Sequence, residues 1–189
     1  GDGSAIKLVS RGFEKFFNQS GLPETRRENL SKIAGDRKLV CREKADGHMI
    51  EYFMLDDNYL HGTTRGKFGT VSAVESLRML NRAQWIKADN IVKSVGKNLM
   101  TLVVELVTVN TEVHVDYDGL ETLYLLAAYD KSGEKIHDAI LSDIVGAMPD
   151  TFALPETKMM SLDEIYDEVS DRSVHNKEGW VVQFDNRLV

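Results

Sequence analysis

The sequence contains one cysteine and no hydrophobic run long enough to cross a lipid bilayer. A membrane-spanning helix needs roughly 20 consecutive apolar residues, and no segment approaches that length. No signal-peptide pattern opens the chain. Cys41 has no partner in the chain with which to form a disulfide, which is typical of a reducing compartment. We therefore expect a cytoplasmic protein with no membrane partner.

Internal repeats and low-complexity linkers are also missing, so the sequence marks no domain boundary. Of the 189 residues, 42% are hydrophobic and 28% are charged, which is typical of a soluble globular chain. A single domain of this length can bury a substantial core. The predicted strands come in adjacent pairs rather than alternating with helices. This order predicts an α+β fold with a mainly antiparallel sheet and flanking helices.

Positive charge is scarce in the second part of the chain. Residues 1–100 carry 17 Lys and Arg against 12 Asp and Glu, whereas residues 101–189 carry 6 against 18. The resulting balances of +5 and −12 together give the net charge of −7. If the protein has a polyanionic partner, we expect that partner to contact the first 100 residues.

The stretch KLVCREKADGHMIEYFML is the one around which the chain is organised. It predicts two strands, Lys38–Glu43 and His48–Leu55, joined as a hairpin by the sharp corner Lys44–Gly47. A lysine at a strand end, followed by an acid and a glycine, can aim an amine at a ligand that approaches the backbone closely. An ordinary Asp-Gly turn explains the same residues, so this motif alone decides nothing.

Several charged residues lie on otherwise apolar elements or at strand ends. Cations suit phosphate groups, and carboxylates suit a ribose hydroxyl or Mg²⁺. A nucleoside triphosphate with its metal would use both kinds. The residues are Lys15, Lys44, Arg65, Glu105 and Glu178.

Six motifs carry a resemblance to a known family over nearly the whole chain. In chain order they are SRGFEKFFN (Ser10–Asn18), KADG (Lys44–Gly47), TTRGK (Thr63–Lys67), VVELV around Glu105, LYLLAAYD (Leu123–Asp130) and KEGWVV (Lys177–Val182). Their order and spacing resemble those of the covalent nucleotidyltransferase superfamily, most closely the phage-type, RNA-ligase-1-like ATP-dependent RNA ligases. The fold that this resemblance implies is the antiparallel-sheet nucleotidyltransferase fold, which is ATP-grasp-like.

The resemblance also implies a mechanism. Lys44 would attack the α-phosphorus of ATP, expel pyrophosphate and form a lysine–AMP phosphoramidate. Because a lysine amine is mostly protonated at pH 7, neighbouring cations and Mg²⁺ would have to activate it. The AMP would pass to an RNA 5′-phosphate, and a 3′-hydroxyl would displace it. Lys15 and Arg65 would contact phosphates, and Glu105 would accept from a ribose hydroxyl.

The implied cofactors are ATP and Mg²⁺ or Mn²⁺, with Glu178 as the stronger metal candidate. Asp46 either holds the corner or helps to position the metal. Phe17 either supports the nucleotide pocket or is a core residue. The implied nucleotide-binding set is Glu43, Lys44, Gly47, Arg65, Glu105, Glu178 and Phe17.

Two alternatives stay open. DNA ligases and capping enzymes of the superfamily typically carry Arg two places after the motif glycine, and His48 and Met49 follow Gly47 here. That difference favours an RNA ligase. A non-catalytic nucleotide- or RNA-binding module of a repair assembly is the second alternative. Its support is that the family's fifth motif, a Lys-x-Lys strand that would begin just past Val189, is missing from this sequence. The intact Lys44, Glu105 and Glu178 speak against it.

A basic element normally precedes the SRGFEKFFN segment in the family. We therefore expect a single catalytic domain, truncated before its final motif, from a protein with further domains or repair subunits. The expected substrate is RNA with 5′-phosphate and 3′-hydroxyl ends, with tRNA halves as one candidate. The preference for ATP over GTP comes from the resemblance alone.

Overall fold

A computed structural model describes residues 7–109, 115–171, 176–184 and 187–189. Its strands and helices confirm the predicted α+β class with mainly antiparallel strands. The strands are β1 (Leu39–Glu43), β2 (His48–Met54), β3 (Leu60–Thr64), β4 (Lys67–Phe68), β5 (Leu99–Val107), β6 (Thr122–Asp130), β7 (Phe152–Ala153), β8 (Thr157–Met160), β9 (Trp180–Phe184) and β10 (Arg187–Leu188). The helices are α1 (Arg27–Ala34), α2 (Val71–Ser76), α3 (Arg82–Ser94), α4 (Asp138–Gly146) and α5 (Leu162–Ser170), with a short 3-10 helix at Pro23–Thr25.

The chain divides into two compact units, each of which contains one sheet. The first unit comprises Gly1–Phe13, Gly47–Thr111 and Gly119–Leu154. The second unit comprises Glu14–Asp46, Glu112–Asp118 and Pro155–Val189. Each unit is therefore assembled from three separate parts of the chain.

The first unit is built on a six-stranded sheet with the order β4-β3-β2-β5-β6-β7. Its pairs are antiparallel except for β6 with β7, which is parallel. One face packs against α2, α3 and α4 in a cluster that includes Ile50, Leu102 and Leu125. The opposite face carries a smaller cluster with Val103 and Tyr129. Because both faces are covered, β5 is apolar at nearly every position, as LMTLVVELV predicted.

The second unit is built on a four-stranded antiparallel sheet with the order β10-β9-β1-β8. Its buried cluster joins the sheet to α1 and α5 and includes Leu30, Leu39 and Phe184. Cys41 lies in this cluster, where burial raises the pKa of its thiol to about 11. The S-x-x-E pattern at Ser161 and Glu164 predicts a capping box, and the structure confirms it at the start of α5, because Ser161 accepts from the Glu164 amide while Glu164 accepts from the Ser161 amide.

The predicted hairpin between the two central strands is wrong, although both strands exist. Strand β1 pairs with β8 and β9 in the four-stranded sheet, whereas β2 pairs with β3 and β5 in the six-stranded sheet. Each strand has neighbours on both edges, so neither has a free edge for the other. The corner at Lys44–Gly47 is therefore a crossover between two sheets rather than a hairpin turn.

One predicted strand lies almost entirely outside the described residues. The sequence also predicts a strand at Thr111–Val115, of which residues 111–114 lie outside the described ranges. Every helix within the described ranges is too short or too polar to span a bilayer.

Candidate active site

Lys44 follows directly after β1, and the backbone on either side of it is fixed by neighbouring chain segments. The Lys44 amide donates to the Gly179 carbonyl at 3.0 Å, and the Glu43 amide donates to the Glu156 carbonyl at 2.8 Å. These bonds continue the pairing of β1 with β9 and β8 past the end of the strand. The pairing of β1 with β9 therefore holds the predicted nucleophile and Glu178 at the same end of the sheet.

The side chains of Lys44 and Glu178 form an ion pair between Nζ and Oε1. They are 30% and 29% exposed, so both groups lie partly in solvent. The two residues are 134 positions apart in sequence, and the pairing of β1 with β9 brings them together. An ammonium is not a nucleophile, so attack by this amine requires that it first lose a proton.

Asp46 holds the corner to the segment at residues 115–117. The Val115 amide donates to Asp46 Oδ2 at 3.0 Å, and the Asp46 amide donates to Tyr117 Oη at 2.8 Å. The sequence left two roles open for Asp46, and these contacts support the one in which Asp46 holds the corner.

An ionic network beside Lys44 was not predicted from the sequence. Lys177 Nζ lies 2.9 Å from Glu156 Oε2 and 3.9 Å from Glu43 Oε1. The hydrogen bond from Lys177 lowers the pKa of Glu156, and the same bond raises the pKa of Lys177. Lys177 and Lys158 each lie 4.9 Å from the centre of the Trp180 ring. Lys177 thus neutralises Glu43, one of the predicted nucleotide-binding residues.

Lys15 and Phe17 lie together in the second unit. Lys15 Nζ stands 4.7 Å from the centre of the Phe17 ring, in a cation–π contact. Lys15 is exposed, and Phe17 is only partly buried. Partial burial fits both predicted roles of Phe17, which are to support the nucleotide pocket and to form part of the core.

Gly47 and Glu105 lie side by side in the first unit. A Cβ atom at Gly47 would stand 2.3 Å from the Leu106 carbonyl oxygen and 3.2 Å from Glu105 Cγ. Gly47 does not have a positive φ, so a left-handed backbone is not what requires glycine at this position. Glycine is required here because β5 passes too close for any side chain.

The register of the six-stranded sheet brings Arg65 and Glu105 to the same end. Thr64 lies opposite Ile50, and Met49 lies opposite Glu105. Arg65, one residue beyond Thr64, is therefore level with Met49 and Glu105 in neighbouring strands. Arg65 is exposed, whereas Glu105 is partly buried.

Sequence reasoning missed Glu51, a carboxylate that is only 8% exposed on β2. Ser10 Oγ donates to Glu51 Oε2 at 2.8 Å, and the Arg11 amide donates to Thr101 Oγ1 at 2.9 Å. A Cβ atom at Gly12 would stand 2.6 Å from Glu51 Oε1. These contacts explain why SRGF fits across this face of the sheet. An acid inside the apolar run HMIEYFM was the available signal.

The described residues contain no group of three or more His, Cys, Asp and Glu that could hold a metal ion. Mg²⁺ usually binds proteins through one or two carboxylates, together with substrate phosphates and water. The single carboxylate of Glu178, partly exposed beside Lys44, fits that mode of binding.

A family model described as RNA ligase matches residues 2–188. A search of the curated proteins gave no match. The sequence evidence therefore consists of one family match that covers nearly the whole chain.

Solved structures share the fold at low sequence identity. A mutant RNA ligase of Naegleria gruberi with AMP and Mn superposes with a TM-score of 0.58 at 15% identity, covering 95% of this chain and 56% of that chain. The ligase from the same organism with PPi gives 0.53 at 17%, covering 96% and 56%. An archaeal ATP-dependent RNA ligase gives 0.61 at 14%, covering 92% and 45%. This chain thus spans about half the length of the structures that it matches.

Proposed function

Since this chain belongs to the RNA ligase family, we propose that it carries the adenylate-transfer chemistry of an ATP-dependent RNA ligase. The proposed substrates are ATP and RNA with 5′-phosphate and 3′-hydroxyl ends, with tRNA halves as one candidate. The observation that carries the proposal is the ion pair of Lys44 with Glu178, at the end of the strand where the family's nucleophile motif lies.

In the proposed reaction Lys44 Nζ forms a bond to the α-phosphorus of ATP. The bond from that phosphorus to the bridging oxygen breaks, pyrophosphate leaves and the amine loses its proton. An oxygen of the RNA 5′-phosphate then bonds to the adenylate phosphorus while the P–N bond to Lys44 breaks. A 3′-hydroxyl finally bonds to the RNA 5′-phosphorus and loses its proton, and AMP leaves as the phosphodiester forms. A buried or clamped backbone favours such chemistry because it keeps the amine in one position before the substrate arrives.

The remaining residues receive roles that their chemistry supports. Arg65 and Lys15 would contact phosphate oxygens, and one such donor contributes about 3 kcal/mol to a transition state. Glu105 would accept from a ribose hydroxyl. Glu178 would hold Mg²⁺ or Mn²⁺, which when bound neutralises phosphate charge. Asp46 would help to position the metal, in addition to its contacts with the Val115 amide and the Tyr117 hydroxyl.

The prediction of a single catalytic domain, with further domains in the full-length protein, stays a prediction. The same holds for a cytoplasmic location. Naegleria gruberi RNA ligase structures contain AMP or ATP with Mn, and we propose the same class of nucleotide and metal for this chain.

The test is transfer of label from α-labelled ATP to the denatured protein in the presence of Mg²⁺. We expect stable label on the wild-type protein and none on Lys44→Ala or Lys44→Arg. Lys32→Ala, at an exposed lysine of the same unit, is the matched control and should label normally. Unlabelled wild-type protein would favour the non-catalytic binding module. Labelled protein that then seals DNA but not RNA ends would favour a DNA ligase.

A further inference from the structure

The turn and short strand after β3 present an exposed aromatic ring next to two cations. Phe68 is 70% exposed, although phenylalanine is usually buried. Arg65 and Lys67 precede it, and both are exposed. Residues 58–74 include no Asp or Glu, so no acid within this stretch offsets the two cations. An apolar ring with this charge around it suits an anionic partner that also has flat, apolar surfaces.

Phe68 is held in position by the sheet. It pairs with Thr63 across β3 and β4, and β4 is the edge strand. Its ring meets the ring of Phe53 edge-on, with centroids 6.1 Å apart and planes at 81°. Phe53 is buried and stacks in turn on His61 at 5.7 Å. The ring is therefore anchored through one contact while most of its surface stays open to solvent.

Phe68 also shares a sheet face with Glu105. Phe68 lies opposite Thr63, Thr63 opposite Glu51, and Glu51 opposite Val103. Alternate residues of a strand lie on one face, so Glu105 is on the face of Val103. Three strand spacings separate β4 from β5, which is roughly 14 Å. An extended nucleic-acid strand that begins near Glu105 and Arg65 can therefore reach Phe68 along this face.

We propose that Phe68 stacks on an unpaired base of the RNA to be sealed, and that Lys67 contacts its phosphate backbone. Single-stranded nucleic acids bind in this way, with aromatic rings under the bases and cations along the phosphates. The positive balance of the first 100 residues supports this partner over an acidic or apolar surface in general. The inference rests on the proposed function, since it names the surface that receives the ligase's RNA.

The most direct test places a fluorophore at the site. In Phe68→Trp the new indole should be quenched, saturably, by a 5′-phosphorylated single-stranded oligoribonucleotide, relative to the wild-type signal from Trp85 and Trp180. Val71→Trp is the matched control, because Val71 is 82% exposed on the adjacent helix α2. We expect no quenching there. Equal quenching in both variants, or none in Phe68→Trp, would overturn the proposal.

Affinity for the same oligoribonucleotide separates stacking from simple apolar contact. Loss of one stacked base costs about 1–3 kcal/mol, which is roughly 5- to 150-fold in affinity. We expect that loss in Phe68→Ala and in Phe68→Leu, and near-complete retention in Phe68→Tyr. Thermal unfolding of each variant shows whether the protein is still folded. Wild-type affinity in a folded Phe68→Leu variant contradicts stacking.

Two more measurements test the phosphate contact and test whether a second copy of the chain, rather than RNA, covers this surface. Lys67→Ala should weaken binding across sequences and reduce the salt slope by about 1. An unchanged slope contradicts the phosphate contact. If Phe68→Ala instead changes the sedimentation of the free protein and leaves RNA affinity intact, the surface is an interface between copies and the proposal fails.

A different measurement, adenylate transfer to the protein, tests the proposed function. Transfer of adenylate to the protein requires no RNA, so its absence in the wild-type protein counts against the catalytic proposal alone. The fluorescence titration reads RNA contact at Phe68 whether or not the protein is labelled. Labelling that persists in Phe68→Ala, with RNA affinity lost, is the combined result that we expect.

Discussion

The six-stranded sheet buries apolar side chains on both faces, whereas the four-stranded sheet buries them on one face and carries ion pairs around its end. Strand β5 is buried at eight of nine positions, while β1 alternates buried and half-buried residues. Nineteen buried residues form the larger cluster of the first unit, against nine in the second, within the described ranges. Lys44, Glu178 and Lys177 all lie in the second unit.

This difference has a physical reason. An amine and its carboxylates are costly to bury, and they must exchange partners during a reaction. A sheet with one solvated face keeps them hydrated, while backbone bonds such as Lys44 to Gly179 fix their positions. The six-stranded sheet supplies rigidity instead, because apolar side chains cover both of its faces. Four predictions test whether stability and chemistry are divided in this way.

The largest effect is expected in the core of the first unit. Leu102→Ala removes a fully buried side chain between β2 and β6 and should cost about 4 kcal/mol of unfolding free energy. Leu30→Ala, in the smaller cluster of the second unit, should cost less, about 2–3 kcal/mol. Urea denaturation followed by circular dichroism measures both. A larger cost at Leu30 would reverse the comparison.

Loss of the carboxylate next to Lys44 should affect chemistry rather than stability. We expect Glu178→Gln to slow adenylate transfer to the protein about 100-fold, equivalent to about 3 kcal/mol, because it removes the proposed metal contact. Its melting temperature should stay near that of the wild type, since the side chain is partly exposed. Glu28→Gln on α1 is the matched control. Rapid labelling by Glu178→Gln would exclude a metal role for this residue.

A single methyl group at the crossover should be destabilising. In Gly47→Ala the new Cβ would overlap the Leu106 carbonyl, which belongs to a central strand and cannot move freely. Overpacking of this kind costs about 1–3 kcal/mol. Gly146→Ala is the control, because that glycine has open space around it and lies at the end of α4. Differential scanning calorimetry should show a lower melting temperature only for Gly47→Ala.

The smallest effect concerns acid stability of the first unit. Burial tends to raise the pKa of Asp130, but hydrogen bonds from Lys97, Ser132 and the Glu134 amide outweigh it and hold the pKa at about 2. The ordinary value is 3.8, so this stabilisation, about 2 kcal/mol, is present above pH 4 and is lost as pH falls towards 2.

Denaturation of Asp130→Asn at several pH values measures this effect. The difference between wild type and variant should shrink as pH falls from 4 to 2. Asp150→Asn, at an exposed aspartate, is the matched control. A constant difference across that range would show that Asp130 acts only through its neutral hydrogen bonds.

Much of the fold was predictable from local sequence. The β-branched run of β5 and the capping box of α5 lie where the pattern predicted them. Pairing over long distance was not predictable, because the Asp-Gly corner is a hairpin signal and nothing local indicates two sheets. Strand β8 reads TKMM, without the alternation that marks a strand, and it forms because β1 offers it an edge.

The candidate site was also predictable only in part, because local motifs do not show which distant residues lie together. Motif order pointed to Lys44 and Glu178, and strand pairing brings them into contact. The role of Lys177 depends on where Glu156 and Glu43 lie, which no motif states. Gly47 was expected to leave room for a ligand, whereas the space beside it is taken by β5, about 60 residues further along the chain.

The central claim is that one amine, Lys44 Nζ, becomes covalently bound to adenylate. Protein incubated with ATP and Mg²⁺ can be digested and its modified peptide sequenced by mass spectrometry. We predict a single acid-labile adenylate on Lys44 and none on Lys15 or Lys177. Adenylate on another lysine, with Lys44 unmodified, would contradict the assignment of the nucleophile.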